Sequence, residues 1–105
     1  MYYTYLLRCG DGSLYAGITT DPQRRLAEHR AGGKKGARYT RARQPLTLAA
    51  LWESADRQSA TRLEYRLKRT SHKAKEALLR DPADLAAVHP SLEGYRFVPQ
   101  GDETK

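Results

Sequence analysis

Cysteine is nearly missing from this chain of 105 residues. Cys9 stands alone, which excludes an intramolecular disulfide and a cysteine-based zinc site. Long apolar runs are missing too, and no charged-then-apolar leader opens the sequence. A membrane span or a secreted product is therefore not expected, and the cytosol is the expected compartment. No internal repeat is present, and the length supports one domain with one modest core. Acids are scarce where bases are dense. Arg24 to Lys75 holds 15 of the 19 basic residues but only 4 of the 12 acids: Glu28, Glu53, Asp56 and Glu64.

The net charge is +7 and the pI near 9.8. A basic middle of this kind looks like a surface turned toward phosphates, with nucleic acid ahead of an acidic membrane as partner. A merely soluble basic protein is the plainer reading of charge by itself.

Tyr2 to Arg8 is aromatic and aliphatic and reads as a strand; Leu14 to Thr19 reads as a second, antiparallel to it. Gly10-Asp11-Gly12 is a strong turn signal between them. A three-residue loop at Gly10 to Gly12 pairs Leu7 with Tyr15 and Tyr5 with Gly17. Tyr5 and Tyr15 then share a face as diagonal neighbours, with Gly17 leaving space beside the Tyr5 ring. A two-residue turn would put the tyrosines on opposite faces, because a slip of one residue turns every side chain over. The longer loop is the expectation.

Asp21-Pro22 starts a helix that runs to about Arg30 and stops at Gly32-Gly33. Arg25 and His29 are four residues apart and project from one face. Gly32 to Gln44 carries Lys34, Lys35, Arg38, Arg41 and Arg43 around Tyr39 and Thr40. It shows no apolar period and reads as a basic loop with at most one helical turn. Leu46 to Trp52 is a third strand. Asp56 or Ser59 caps a helix to about Arg69 with an apolar stripe of Ala60, Leu63 and Leu67, and Glu64 borders that stripe. Ser71 caps a further helix through Leu79, a short helical piece is expected within Ala83 to Val88, and an irregular tail follows from Pro90. The expected architecture is α+β, a small three-stranded antiparallel sheet flanked by helices. Residues 1–80 form the domain and 81–105 a partly irregular C-terminal extension.

Taken singly, the tyrosines read as packing, Arg25 as a solvated charge and His29 as a surface histidine. A carboxylate beside an apolar stripe is odder, since it wants a partner or a metal. Taken together, these residues follow a known pattern. The chain from Met1 to about Leu79 resembles the GIY-YIG nuclease family, and looks closest to its small stand-alone bacterial members. Tyr3-Thr4-Tyr5 stands where that family has GIY, and Tyr15-Ala16-Gly17 where it has YIG. Arg25 lies eight residues beyond Gly17, as the family's arginine does, and His29 follows one helical turn later. Glu64 matches the family's metal-binding glutamate in position and setting. Tyr3, Thr4 and Ala16 depart from the tripeptides, and a late asparagine carried by many members has no counterpart, because the chain contains no asparagine.

The resemblance implies a metal-dependent endonuclease that hydrolyses DNA phosphodiesters. Tyr5, Tyr15, Arg25, His29 and Glu64 would be its catalytic residues. Glu64 would hold a single Mg²⁺ or Mn²⁺, a hard cation that keeps most of its waters when few carboxylates are present. Arg25 would clamp the scissile phosphate with its planar fork. Tyr5 or Tyr15 would take the proton from the attacking water, with Tyr5 favoured, and His29 could relay it. Lys34, Lys35, Arg38, Tyr39, Arg41, Arg43 and Lys68 would contact the nucleic acid without reading its sequence. Tyr39 could stack on an exposed base, which favours single-stranded or distorted DNA and a role in repair or processing. A monomer or weak dimer is expected. The competing readings are a binding module of the same fold that has lost turnover and, on composition alone, a basic ribosome- or protein-interaction domain.

Overall fold

The sheet is built around the first strand of the chain. The computed structural model describes residues 1–100. Strand β1 (Tyr2–Arg8) pairs with β2 (Leu14–Thr19) on one side and β3 (Thr47–Ser54) on the other, both antiparallel. Its apolar run suits a central strand packed on both faces. A register shift between Leu6 and Leu7 marks a bulge against β3.

The sheet has four strands rather than the three expected, in the order β2-β1-β3-β4. The fourth, β4 (Arg96–Phe97), pairs with Trp52 and Glu53, within a region expected to be irregular from Pro90 onward. It is held by tertiary contacts: Phe97 packs against Trp52, and Arg96 Nε lies 2.8 Å from the Glu53 carboxylate. The part of the expected irregular tail beyond Gln100 lies outside the described residues.

Helix α1 (Pro22–Ala31) is capped by Asp21, whose carboxylate accepts from the Arg24 N–H, and ends at Gly32 with φ 71°. The basic stretch contains a single helical turn, α2 (Arg38–Arg41). Helix α3 (Arg57–Lys68) is capped by Asp56 rather than Ser59 and buries Ala60, Leu63 and Leu67. Helix α4 (His72–Leu78) is capped by Ser71 and buries Leu78. A 3₁₀ turn, Leu85–Ala87, follows.

Because strand side chains alternate, the sheet has two distinct faces. On one, Leu6, Leu14, Ala16, Ala50 and Trp52 meet Leu63 and Leu67 of α3 and Leu78, Leu85 and Leu92 beyond it. On the other, Tyr5, Leu7, Cys9 and Leu51 pack with Leu46 and with partly buried Tyr3, Tyr15, Leu26, Leu48 and Val98. Helix α1 covers this second face, and the expected site residues of β1 and β2 lie there.

Candidate active site

The turn after β1 decides what the second face presents. Gly12 has a φ of 87°, a conformation that glycine adopts freely. The Cys9 N–H donates to the Ser13 carbonyl at 2.8 Å and closes a three-residue loop. Tyr5 therefore pairs with Gly17 and Leu7 with Tyr15, the register the longer loop predicts. Both tyrosines point to the α1 side. A Cβ at Gly17 would collide with the Tyr5 hydroxyl and Cζ, so the ring occupies the space the glycine leaves.

Helix α1 delivers His29 onto the two rings. The imidazole is fully buried, at 0% exposure. Its Nε2 lies 2.9 Å from the Tyr5 hydroxyl and its Nδ1 2.9 Å from Thr40 Oγ1 on α2. Tyr5 and Tyr15 both meet it edge-on, with ring centroids 5.8 and 5.6 Å away. Burial pushes the His29 imidazole down to about 4, helped by the charge of Arg25, so it is neutral at physiological pH. Burial likewise pushes the Tyr5 phenol up to about 12, with Arg25 pulling the other way. At rest, both partners of this hydrogen bond are uncharged.

Arg25 sits one turn before His29, close enough for its charge to act on both His29 and Tyr5. Its Nη1 donates to Glu28 Oε1 at 2.9 Å and to the Lys35 carbonyl. Those contacts engage one nitrogen of a guanidinium that has five N–H donors. Glu64 approaches from α3, and its charge is felt by Tyr5. One carboxylate oxygen lies 3.3 Å from Lys68 Nζ, and that ammonium sits 5.8 Å from the centre of the Tyr15 ring. Tyr5, Tyr15, Arg25, His29 and Glu64 are thus gathered around one spot, with Gly17 beneath Tyr5.

The family departures fall into place in this geometry. Thr4 is buried and donates its hydroxyl to the Ala60 carbonyl at 3.0 Å, tying β1 to the turn of α3 that precedes Glu64. Ala16 is buried under the same helix. Tyr3 donates to Glu53 at 3.1 Å, away from the site.

The expected nucleic-acid residues divide into two groups. Lys34, Lys35, Arg38 and Arg41 are exposed on the α1–α2 connection and α2, and Lys68 is exposed on α3. Tyr39 and Arg43 are already engaged. Tyr39 stacks on Tyr15 with centroids 5.6 Å apart, and the Arg43 guanidinium lies 3.7 Å over the Tyr39 ring. Since one face cannot take both, Tyr39 is sandwiched, and a base stacking on it has to replace Arg43. Asp11 of the hairpin turn holds Arg43 at 3.0 Å. Tyr65 is the more open aromatic, 53% exposed, with the Arg69 guanidinium 5.2 Å from its ring.

Sequence reasoning missed Thr40, Asp11, Glu28 and Tyr65. Only Tyr65 left a signal, an aromatic on the outer face of the helix that carries Glu64. Among the described residues no group of three or more His, Cys, Asp or Glu gathers, so Glu64 is not part of a protein-built metal cage. No helix among them is long and apolar enough to cross a membrane.

Comparison with known proteins bears on the family of the chain. A family model described as the GIY-YIG catalytic domain matches residues 1–77. A UPF0213 protein of Halobacterium salinarum is 49% identical over 78 residues, covering 74% of this chain and 99% of that one. A UPF0213 protein of Yersinia pestis is 49% identical over 81 residues, covering 77% and 83%. The solution NMR structure of the UPF0213 protein BH0048 from Bacillus halodurans superposes with a TM-score of 0.51 at 40% identity, covering 89% of this chain and 98% of that one. With its first 77 residues matched from end to end, the chain belongs to the GIY-YIG family, a family of nucleases.

Proposed function

We propose that this protein is an endonuclease that hydrolyses DNA phosphodiester bonds with the help of one divalent cation. Residues 1–80 form the nuclease unit, acting as a monomer or weak dimer in the cytosol. The C-terminal extension braces it through the Trp52 indole, which donates to the Pro82 carbonyl at 2.7 Å. The observation that carries the reading is the Tyr5–His29 hydrogen bond of 2.9 Å with Arg25 and Glu64 in electrostatic reach of Tyr5. Burying that much polar chemistry on one sheet face costs stability that a purely structural face would not give up.

Hydrolysis needs a deprotonated water, charge relief at the phosphate and in-line positioning. Arg25 supplies the clamp on the non-bridging oxygens through the donors that Glu28 and the Lys35 carbonyl leave free. Tyr5 takes a proton from the attacking water as its own passes to His29 Nε2. The phenol stays neutral throughout and the charge appears transiently on the imidazole. Tyr15 packs the other edge of His29 and fixes its plane.

The donor set suits a hydrated hard cation rather than a caged one: a single carboxylate, already paired with an exchangeable ammonium, that of Lys68. Glu64 would hold Mg²⁺ or Mn²⁺, which supplies Lewis-acid charge at the phosphate when bound. Lys34, Lys35, Arg38, Arg41 and Lys68 line the approach and contact the backbone, so affinity falls steeply with salt. Stacking at Tyr39, in exchange for Arg43, or at Tyr65 favours single-stranded or distorted DNA, as in repair or processing.

The test is a cleavage assay on labelled single-stranded, double-stranded and branched DNA, with and without Mg²⁺ or Mn²⁺. Arg25→Ala and Glu64→Ala are each expected to lower the rate by at least about 100-fold. Cleavage that survives both substitutions overturns the assignment of the site. Salt-sensitive binding with no metal-dependent cleavage on any substrate identifies a binding module that has lost turnover.

A further inference from the structure

Both ring nitrogens of His29 are engaged, and a neutral imidazole offers one donor and one acceptor. Which nitrogen carries the proton follows from Thr40, a residue with no role in the mechanism above. Thr40 is fully buried, at 0% exposure. Its hydroxyl has a single proton, and the geometry places that proton on the Ala37 carbonyl, 3.0 Å away. The carbonyl is itself held in place, since the Arg41 N–H also donates to it at 3.0 Å. With its proton committed, Thr40 Oγ1 meets His29 Nδ1 as an acceptor, and Nδ1 must carry the hydrogen. Nε2 is then bare and accepts from the Tyr5 hydroxyl. The Ala37 N–H also points at Nδ1, but from 3.5 Å, and this long contact is outweighed by the 2.9 Å contact to Thr40.

The opposite tautomer would reverse the site. An Nε2–H would point at the Tyr5 oxygen and occupy the place where the phenol proton has to go. We infer that Thr40 is a positioning residue: anchored on the Ala37 carbonyl, it holds His29 in the Nδ1–H tautomer and keeps Nε2 open to the Tyr5 proton. The chain of hydrogen bonds ends on a backbone carbonyl, so it orients the imidazole and does not conduct a proton to solvent. The role in turnover rests on the nuclease reading of Tyr5, whereas the tautomer does not.

The tautomer is read in ¹⁵N-labelled protein at neutral pH, free of DNA and added metal, from long-range ¹H–¹⁵N correlations of the histidine rings. His29→Gln assigns the His29 signals among those of His72 and His89. Wild type and Thr40→Ser are expected to show Nδ1–H at His29, and Thr40→Val, which keeps the shape and loses the hydroxyl, a shift toward Nε2–H. Nε2–H in the wild type, or unchanged Nδ1–H in Thr40→Val, overturns the proposal. In cleavage, Thr40→Val is expected to lower kcat by between about 10- and 100-fold, comparable to losing a group that orients a functional histidine, with KM within about twofold. Thr40→Ser is expected to restore it. A tautomer shift with kcat unchanged overturns the positioning role. Should the wild type cleave nothing while the tautomers behave as expected, the nuclease reading falls and the clamp on His29 is upheld.

Discussion

The two faces of the sheet are built from alternate residues of the same strands, yet they are made differently. Under α3 the contacts are mainly apolar, Leu6, Ala16, Ala50 and Trp52 against Leu63 and Leu67, and the buried Thr4 hydroxyl is satisfied by the Ala60 carbonyl. Under α1 the cluster is smaller and is interrupted by a buried polar chain from Tyr5 through His29 to Thr40. The first face holds the fold together by area removed from water. The second gives up apolar area for groups that must be hydrogen-bonded to be tolerated at all. On the proposed function, stability and chemistry are separated by a single residue's offset along a strand.

Two substitutions probe that division most strongly. Leu67→Ala empties a fully buried position and is expected to cost about 2–5 kcal/mol in chemical denaturation. At a temperature where it remains folded, its cleavage rate should match the wild type. Tyr5→Phe should do the reverse, losing at least about 100-fold in rate while costing no more than about 2 kcal/mol. Equal losses of rate in the two variants would mean that the faces are not separable.

The next effect is the pH dependence that His29 adds on the second face. Folding holds the His29 imidazole at about 4, against 6.5 for the free side chain. Below pH 6.5 the unfolded chain takes a proton that the folded chain refuses, so stability falls as pH drops from about 6.5 to about 4. The full loss is about 3 kcal/mol. The carboxylates of Glu28, Glu53 and Glu76, held low by Arg25, Arg96 and Arg8, also lose their contribution in acid. They do so in the wild type and in His29→Gln alike, so the difference between the two isolates His29. Denaturation midpoints from pH 7 to 4.5 should converge, the wild type losing stability faster. Parallel curves would remove the buried neutral imidazole from the account.

The first face was legible in the sequence because area burial leaves a period. Ala60, Leu63 and Leu67 repeat at helical spacing, and the buried stripe of α3 follows them. The hairpin register was legible as well, because Gly10-Asp11-Gly12 is punctuation with a defined geometry. From the register came the shared face of Tyr5 and Tyr15 and the space at Gly17. Arg25, His29 and Glu64 were found through the family pattern, since a helical spacing alone says nothing of what a side chain will meet. Thr40 was not legible, for its part is played through a contact with a residue 11 positions earlier in the chain, across a stretch without periodicity. The strand Arg96–Phe97 was missed for a similar reason: two residues are too few to alternate, and Trp52 and Glu53 create it from across the sheet.

The finest test sets two neighbouring positions against each other. Gly17 and Ala16 are adjacent on β2, both buried, and face opposite ways. Gly17→Ala puts a methyl where the Tyr5 hydroxyl and Cζ now lie, and the strand cannot yield easily because Gly17 is paired with Tyr5 itself. Such overpacking costs about 1–3 kcal/mol. Its larger consequence is geometric, since the ring has to swing off its place and the 2.9 Å contact with His29 goes with it. Cleavage should fall toward that of Tyr5→Phe. Ala16→Gly removes a methyl from the apolar face instead. It should cost about 1 kcal/mol, from backbone freedom and the small void, and leave the rate within about twofold. The two melting curves are expected to lie close together while the two rates lie far apart. If Gly17→Ala cleaves like the wild type, the space beside Tyr5 is ordinary packing, and the glycine has no part in holding the phenol against His29.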